Sequence, residues 1–213
     1  MRTKMIEEYI GQLSVALGGV RPLIAPEKLR EMHKKKNFVS MVHYIRTTLK
    51  LDLRIRVNFV NSDGPTQVPA CINMPATMPP YGTSAFRKTT ITIYIQKTFL
   101  KQRPFETIVS AIAHELSHVV IEAIGHKLEN QEEAVDLTAM VLGYRNFFRI
   151  GCHYEEDIES VQKRRHLCKT IYALPNLIFG KKMITRTHTF GYLTIDEINF
   201  AADIMDCQAS QIM

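Results

Sequence analysis

Residues 113–118 read Ala-His-Glu-Leu-Ser-His, and this stretch lies inside a long run with the apolar spacing of an α-helix. Four residues advance about 400° along a helix, so His114 and His118 lie on one face with their rings about 6 Å apart. Glu115 lies about 100° further round. Two neutral imidazole nitrogens on one face can bind one Zn²⁺, and the adjacent carboxylate can accept a proton from its water.

The flanking residues predict where this helix begins and ends. Pro104 favours the first helical position, and Glu106 is acidic in the first turn. Gly125 lies at a position typical of a C-terminal cap. Apolar residues recur at three- and four-residue steps between them: Ile108, Ile112, Leu116, Val119 and Ala123. The sequence therefore predicts a buried helix over residues 104–124.

A catalytic zinc site needs a third protein ligand and keeps a fourth position open. The metzincin extension of the motif requires glycine and histidine where this chain has Ile121 and Ile124. Peptide deformylases use an upstream cysteine, and Cys71 lies at a comparable distance before the motif. The residues around Cys71 differ from that family's pattern, so a deformylase-like amidase is retained only as an alternative.

A second helical pattern follows the motif and extends from Asn130 through Phe148. Within it, Glu132 and Asp136 are four residues apart and therefore share a face. H-E-x-x-H followed by E-x-x-x-D resembles the signature of the gluzincin metallopeptidases. The resemblance implies that Glu132 is the third ligand of one Zn²⁺ per chain. It also implies that Asp136 hydrogen-bonds a ligand histidine and fixes its orientation.

Glu133 competes with Glu132 for the role of third ligand. Asn130 is predicted to be the N-cap of the second helix, which makes Glu133 its third residue. A glutamate at that position can reach back to the cap in a capping box. This gives Glu133 a structural role and favours Glu132 as the metal ligand.

The region after residue 150 is predicted to be a helical extension. Tyr154 to Tyr172 has a helical pattern, and Thr194 to Glu197 forms a capping box that opens a last helix through about Cys207. In gluzincins, a histidine, tyrosine or arginine from the later region stabilises the oxyanion. The resemblance therefore implies the following candidates for that role: His153, Tyr154, His188 and Tyr192.

The remaining patterns predict an α+β fold. Residues 53–59 and 90–95 alternate between apolar and polar side chains, as half-buried strands do, and residues 67–74 form a weaker strand. Helical patterns cover residues 5–17 and 38–50. We expect about three strands packed on the H-E-x-x-H helix and the glutamate-bearing helix, with extra helices at both ends. This order is similar to the soluble minigluzincins, in which one strand borders the cleft.

The whole chain, residues 1–213, is expected to be a single domain. The resemblance covers a core of about residues 38–150, and residues 151–213 form the extension. A peptide substrate can add to an exposed strand through backbone hydrogen bonds, and either the 67–74 strand or the 89–95 strand is a candidate.

Composition narrows the class of protein further. The chain is 46% hydrophobic and 23% charged, with a net charge of +6. It lacks both the ~20-residue apolar run of a membrane span and a signal-peptide pattern, so a cytoplasmic protein is expected. The basic runs at residues 34–36 and 163–165 are interpreted as solvated faces, which argues against a nucleic-acid partner. A second metal site at Cys152, His153, His166 and Cys168 matches no common zinc spacing.

These observations favour a zinc-dependent metallopeptidase with a peptide or protein substrate. Glu115 is expected to act as the general base. The alternative is a zinc-bearing regulatory or binding module that holds a partner without hydrolysing it. Retention of Glu115 beside the histidines argues against that alternative, because a binding module has no need of a base.

Overall fold

The computed structural model describes residues 2–61, 68–159, 183–189 and 191–210. They form the predicted α+β fold, in which helices surround a small mixed sheet. The helices are α1 Arg2–Leu17, α2 Glu27–Lys34, α3 Phe38–Thr48, α4 Ser84–Lys88, α5 Lys97–Gln102, α6 Phe105–Ala123, α7 Glu132–Ala139, α8 Arg145–Gly151 and α9 Ile195–Ser210. The strands are β1 Arg54–Val60, β2 Ala70–Asn73, β3 Thr90–Gln96, β4 His153–Glu159 and β5 Met183–Thr189.

The three-stranded sheet has the order β1-β3-β2. The central strand, β3, runs parallel to β1 and antiparallel to β2. Its side chains Ile91, Ile93 and Ile95 are fully buried, as their alternation predicted. Because β3 is paired on both sides, it cannot accept a further strand. Of the two strands considered for peptide addition, only β2 lies at an edge of the sheet that the described residues form.

The motif-bearing helix, α6, forms the centre of the core. It begins at Phe105 and ends at Ala123, close to the predicted bounds. Pro104 immediately precedes the helix instead of occupying its first position, which corrects that detail. Gly125 ends the helix as predicted: its φ is 62°, and its N–H donates to the Glu122 carbonyl at 2.9 Å. The left-handed conformation is one that glycine adopts without strain.

The start of α7 differs from the prediction. Gln131, not Asn130, precedes the first helical residue, and no side chain caps this end. Glu133 is therefore the second residue of the helix and is one position too early for a capping box. Its carboxylate instead accepts a hydrogen bond from Arg2 in α1, with Nη2 and Oε1 3.1 Å apart. Glu132 becomes the first helical residue.

A break at Gly143 separates α7 from α8, whereas the sequence predicted one helix through Phe148. A π-helical turn, Met140–Tyr144, joins the two helices, and Gly143 within it has φ 103°. A Cβ atom built on Gly143 would lie 2.4 Å from the carbonyl oxygen of Pro22. The N–H of Ile24 also donates to the Gly143 carbonyl at 3.0 Å. The segment between α1 and α2 therefore packs directly on the break.

The beginning of the extension is a strand, which contradicts the helix predicted from Tyr154. β4 pairs antiparallel with β5, and this partner lies more than twenty residues away along the chain. A distant strand can override a local helical pattern by supplying backbone hydrogen bonds. The rest of the predicted helix, residues 160–172, lies outside the described residues.

The last helix, α9, begins where its capping box predicted. The Thr194 N–H donates to Glu197 Oε2 at 2.8 Å, and the Glu197 N–H donates to Thr194 Oγ1 at 3.3 Å. Ile198, Ala202 and Met205 are buried on its inner face. Within the described ranges, no helix has the length and apolar character needed to cross a membrane.

Candidate metal centre

The two motif histidines are neighbours on the inner face of α6. Their ring centroids are 5.0 Å apart, and the ring planes meet at 86°. The His114 side chain is 6% exposed and that of His118 is 20% exposed, so both lie below the surface but remain reachable. Their positions agree with the spacing that the helical geometry predicted.

Glu132 brings its carboxylate from α7 to both histidines. Its Oε2 atom lies 3.4 Å from Nε2 of His114 and 3.4 Å from Nε2 of His118. In a tetrahedral zinc site with metal–nitrogen bonds of about 2.0–2.1 Å, neighbouring ligand atoms are about 3.3 Å apart. One ligand atom from each of the three residues lies within 4.8 Å of the others, so this group can hold a metal ion.

The environment of Glu132 Oε2 supports this fit. The atom is buried, yet it makes no hydrogen bond in the structure. Burying a carboxylate oxygen is costly unless a hydrogen bond or a positive charge compensates for its lost hydration. A cation placed between this oxygen and the two Nε2 atoms would remove that cost.

Asp136 fixes the orientation of His114 through the ring nitrogen that does not face Glu132. Its side chain is 1% exposed, and its Oδ1 lies 2.7 Å from Nδ1 of His114. A buried carboxylate at this position accepts a hydrogen bond from Nδ1–H, which leaves Nε2, the nitrogen that faces Glu132, free to bind a metal ion in place of a proton. Glu132 and Asp136 are one turn apart on α7, so the same helix supplies a donor to the group and the support for one of its histidines.

The charges around the histidines favour a cation. Burial opposes protonation of His114, but the hydrogen bond to Asp136 and the contact with Glu132 outweigh it and raise its pKa to about 10. Burial and the positive charge on His114 lower the pKa of His118. The contact with His114 is the main cause that lowers the pKa of Glu132. The site therefore stabilises positive charge between these side chains, which a metal ion can supply in place of the His114 proton.

Glu115 lies next to the histidines but is not one of the three converging residues. Its carboxylate accepts a hydrogen bond from the backbone N–H of Ile72 in β2. Burial raises the pKa of Glu115 to about 7, although the charge on His114 acts in the opposite direction. The motif helix and the edge strand are thus joined through the residue that the sequence predicted to be the general base.

The chain after residue 190 closes one side of the centre through Tyr192, which the sequence analysis named only as a candidate oxyanion stabiliser. The Tyr192 ring stacks on His114, with centroids 5.8 Å apart and planes at 21°. The Tyr192 N–H donates to Asp136 Oδ2 at 2.8 Å. Gly191 has φ 101°, and a Cβ atom there would lie 3.1 Å from the same oxygen. A glycine at this position indicates that the backbone can adopt a left-handed conformation there. No residue near it in the sequence indicates that Asp136 is its neighbour in the fold.

The other residues considered from sequence are not part of this group. Cys71 lies in β2 and does not join the converging ligand atoms, and no second cluster with metal-ligand geometry occurs in the part of the chain that the structure describes. Cys152 is fully buried. Its partners in the conceivable second site, His166 and Cys168, lie outside the described residues.

The four candidates for oxyanion stabilisation are only partly described. Tyr192 lies against His114, and burial together with the nearby carboxylate of Glu132 raises its pKa. The backbones of Tyr154 and His188 are register partners in β4 and β5, as are those of His153 and Thr189. The side chains of His153, Tyr154 and His188 lie outside the described part of the structure. An oxyanion role for any of the four stays a prediction.

Comparison of the chain with models of known protein families, with curated proteins and with solved structures finds no match.

Replacing Asp136 with asparagine is expected to weaken zinc binding by roughly 10–100-fold while the protein stays folded. The amide keeps an oxygen for the Nδ1 proton of His114 but loses the charge that strengthens that bond. Competitive titration with a chromophoric chelator measures the effect. Asp196→Asn, in the first turn of α9, is the control and should bind zinc as the wild type does. An unchanged dissociation constant in Asp136→Asn would refute the supporting role.

Proposed function

We propose that the protein is a zinc-dependent metallopeptidase of gluzincin type. The observation that supports this most strongly is the position of Glu132 Oε2, 3.4 Å from Nε2 of both motif histidines. Two histidines and one carboxylate are the ligand set of catalytic zinc sites that keep a fourth position open. A structural zinc site would need a fourth protein ligand, and the described residues bring only three together.

The residues around the centre would divide the chemistry as follows. His114, His118 and Glu132 hold the ion, which supplies Lewis acidity that polarises a carbonyl and acidifies water. Glu115 accepts a proton from the attacking water and delivers it to the leaving amine nitrogen. In the metal-free protein burial is the main cause that raises the pKa of Glu115 to about 7, and a cation at the centre would favour the ionised form that accepts the proton.

The edge strand β2 is the proposed binding surface for the peptide backbone. The Gln96 N–H donates to the Pro69 carbonyl at 3.0 Å, which makes residues 69 and 96 a hydrogen-bonded pair. Such pairs alternate in antiparallel strands, so the backbone groups of Ile72 point away from β3. The Ile72 N–H reaches Glu115. A peptide added along this edge would therefore pass beside the proposed base.

Removal and return of the metal test this function directly. Purified protein loaded with one equivalent of zinc is incubated with a mixture of quenched fluorescent peptides, and cleavage products are identified by mass spectrometry. We expect hydrolysis that 1,10-phenanthroline abolishes and added zinc restores. Cleavage that persists in the chelator would contradict a metal-dependent mechanism. Tight zinc binding without cleavage of any peptide or unfolded protein would favour the non-hydrolytic module instead.

A further inference from the structure

A second concave site lies away from the metal centre, at the junction of α2, α3, β1 and α5. The cavity has a volume of about 650 Å³, which falls within the range of small-molecule sites. Arg103 and Leu100 line it just before α6 begins, whereas His114 lies nine residues into that helix. At about 1.5 Å per residue, the cavity and the metal centre are separated by more than 10 Å.

The floor of this cavity is apolar and partly aromatic. Phe38, Phe59 and Leu100 contribute to it from three different elements. The rings of Phe38 and Phe59 meet edge to face, with centroids 6.5 Å apart and planes at 67°. Of the lining residues only His33 carries a neutral hydrogen-bonding side chain, since burial lowers the pKa of its imidazole. The floor can therefore solvate an apolar body and offers a single imidazole to a polar group.

The rim of the cavity carries only positive charge. Its lysines come from α2, from the residue pair that follows it and from α5: Lys34, Lys36, Lys97 and Lys101. Arg103 follows α5 directly. Lys35 lies between two of these lysines but pairs with Glu31 at 2.6 Å and does not line the cavity. Glu106, in the first turn of α6, is paired with Arg30 at 2.9 Å. None of the lining residues is a carboxylate, so within the part of the chain that the structure describes the rim lysines have no counter-ion in the cavity.

The backbone holds one of these lysines in an unfavourable conformation. Lys36 has φ 55°, a region in which glycine or asparagine is normally found. Its N–H donates to the His33 carbonyl at 2.9 Å, and the Asn37 N–H donates to the Met32 carbonyl at 2.9 Å, which closes the end of α2. Glycine would form this turn with less strain. A lysine there contributes a cation to the rim that glycine could not provide.

We propose that this cavity binds a small anionic amphiphile, a free molecule with an apolar chain and a single carboxylate or phosphate head. The apolar body occupies the floor, and the head is bound by the lysine ammonium groups at the rim. The cationic rim and the apolar floor are complementary to the two halves of such a molecule. The proposal does not depend on the peptidase function, because none of the lining residues belongs to the metal centre.

The probe for this site is decanoate, measured by isothermal titration calorimetry on zinc-loaded protein. We expect one decanoate per chain, with affinity that rises from butanoate to decanoate by up to about fourfold for each methylene buried. Decan-1-ol, which has the same chain without the charge, should bind at least tenfold more weakly. Equal binding of decan-1-ol, or binding of inorganic phosphate as tight as that of decanoate, would overturn the proposal.

Reversing the charge of two rim lysines tests whether decanoate binds in this cavity. Lys97→Glu with Lys101→Glu should weaken decanoate binding by about tenfold or more, because both side chains are exposed and attraction becomes repulsion. The matched control is Lys88→Glu with Lys127→Glu, which changes the charge equally at exposed positions. Lys88 precedes β3 and Lys127 follows α6, at the ends opposite to the cavity. The control should bind decanoate within twofold of the wild type.

Three further outcomes would contradict the proposed ligand. If Glu132→Ala abolished decanoate binding while the rim reversal left it unchanged, the carboxylate would be bound at the metal centre. If vesicles of phosphatidylglycerol bound the protein and excess decanoate did not compete, the cavity would belong to a membrane-binding surface. If a single-stranded oligonucleotide displaced bound decanoate at a concentration below the dissociation constant of decanoate, the site would be a nucleic-acid surface.

Discussion

Glu115→Gln is expected to lower peptide hydrolysis by about 10²–10⁴-fold, the usual contribution of a general acid–base group. Glutamine preserves the size of the side chain and a hydrogen-bond acceptor for the Ile72 N–H, but it cannot take up the proton of the attacking water. Zinc content and the unfolding transition should stay close to those of the wild type. Initial rates on the same fluorescent peptide, at equal zinc occupancy, measure the loss.

Glu122→Gln provides the matched control for this variant. Glu122 lies seven residues further along α6, which is close to two full turns, so it occupies the same helix face about 10 Å away. Like Glu115, it accepts a backbone hydrogen bond, in this case from Met78. Its rate should stay within about twofold of the wild type. A wild-type rate in Glu115→Gln, or an equal loss in both variants, would remove Glu115 from the mechanism.

Gly143→Ala is expected to destabilise the protein by about 3 kcal/mol or more. Two separate effects contribute. The φ of 103° strains any residue with a Cβ atom, and that atom would lie 2.4 Å from the Pro22 carbonyl oxygen. The position of a Cβ atom is fixed by its own backbone, and the oxygen it meets also belongs to backbone, so no flexible side chain can move aside. The break after α7 would have to shift, and the helix that carries Glu132 and Asp136 would shift with it.

Gly11→Ala is the control for Gly143→Ala, because nothing lies within 4 Å of a Cβ atom at Gly11. This glycine is in the interior of α1, where alanine should stabilise the helix by about 0.5–1 kcal/mol. Denaturant unfolding of the two variants should therefore move the midpoint in opposite directions. Equal midpoints for Gly143→Ala and the wild type would show that the break accommodates a side chain.

The sequence predicted the parts of the fold that depend on local periodicity. The apolar spacing through α6 and the alternation in β3 both record which face of an element is buried, so their bounds were close to those observed. The convergence of His114 and His118 follows from helical geometry alone. The approach of Glu132 was implied by resemblance, and the structure brings the three side chains together.

Contacts between distant segments could not be predicted in this way. Tyr192 reaches Asp136 across 56 residues, and β4 pairs with a strand from a separate part of the chain. The cationic cavity also depends on contacts between distant segments. The lysines at 34 and 36 were interpreted as a solvated face, because Phe59 comes close to them only when β1 packs against this part of the chain. The start of α7 was misplaced by one residue because no cap side chain fixes it.

Zinc binding by Glu132→Ala and Glu133→Ala tests the central claim most directly. The wild type is expected to hold about one zinc per chain by elemental analysis, as a single three-ligand centre implies. Glu132→Ala should lose tight binding, whereas Glu133→Ala should keep it, since its contact with Arg2 is solvent-exposed and contributes about 0.2–1 kcal/mol. Undiminished zinc in Glu132→Ala together with its loss from Glu133→Ala, or a wild type that holds no zinc, would contradict the account.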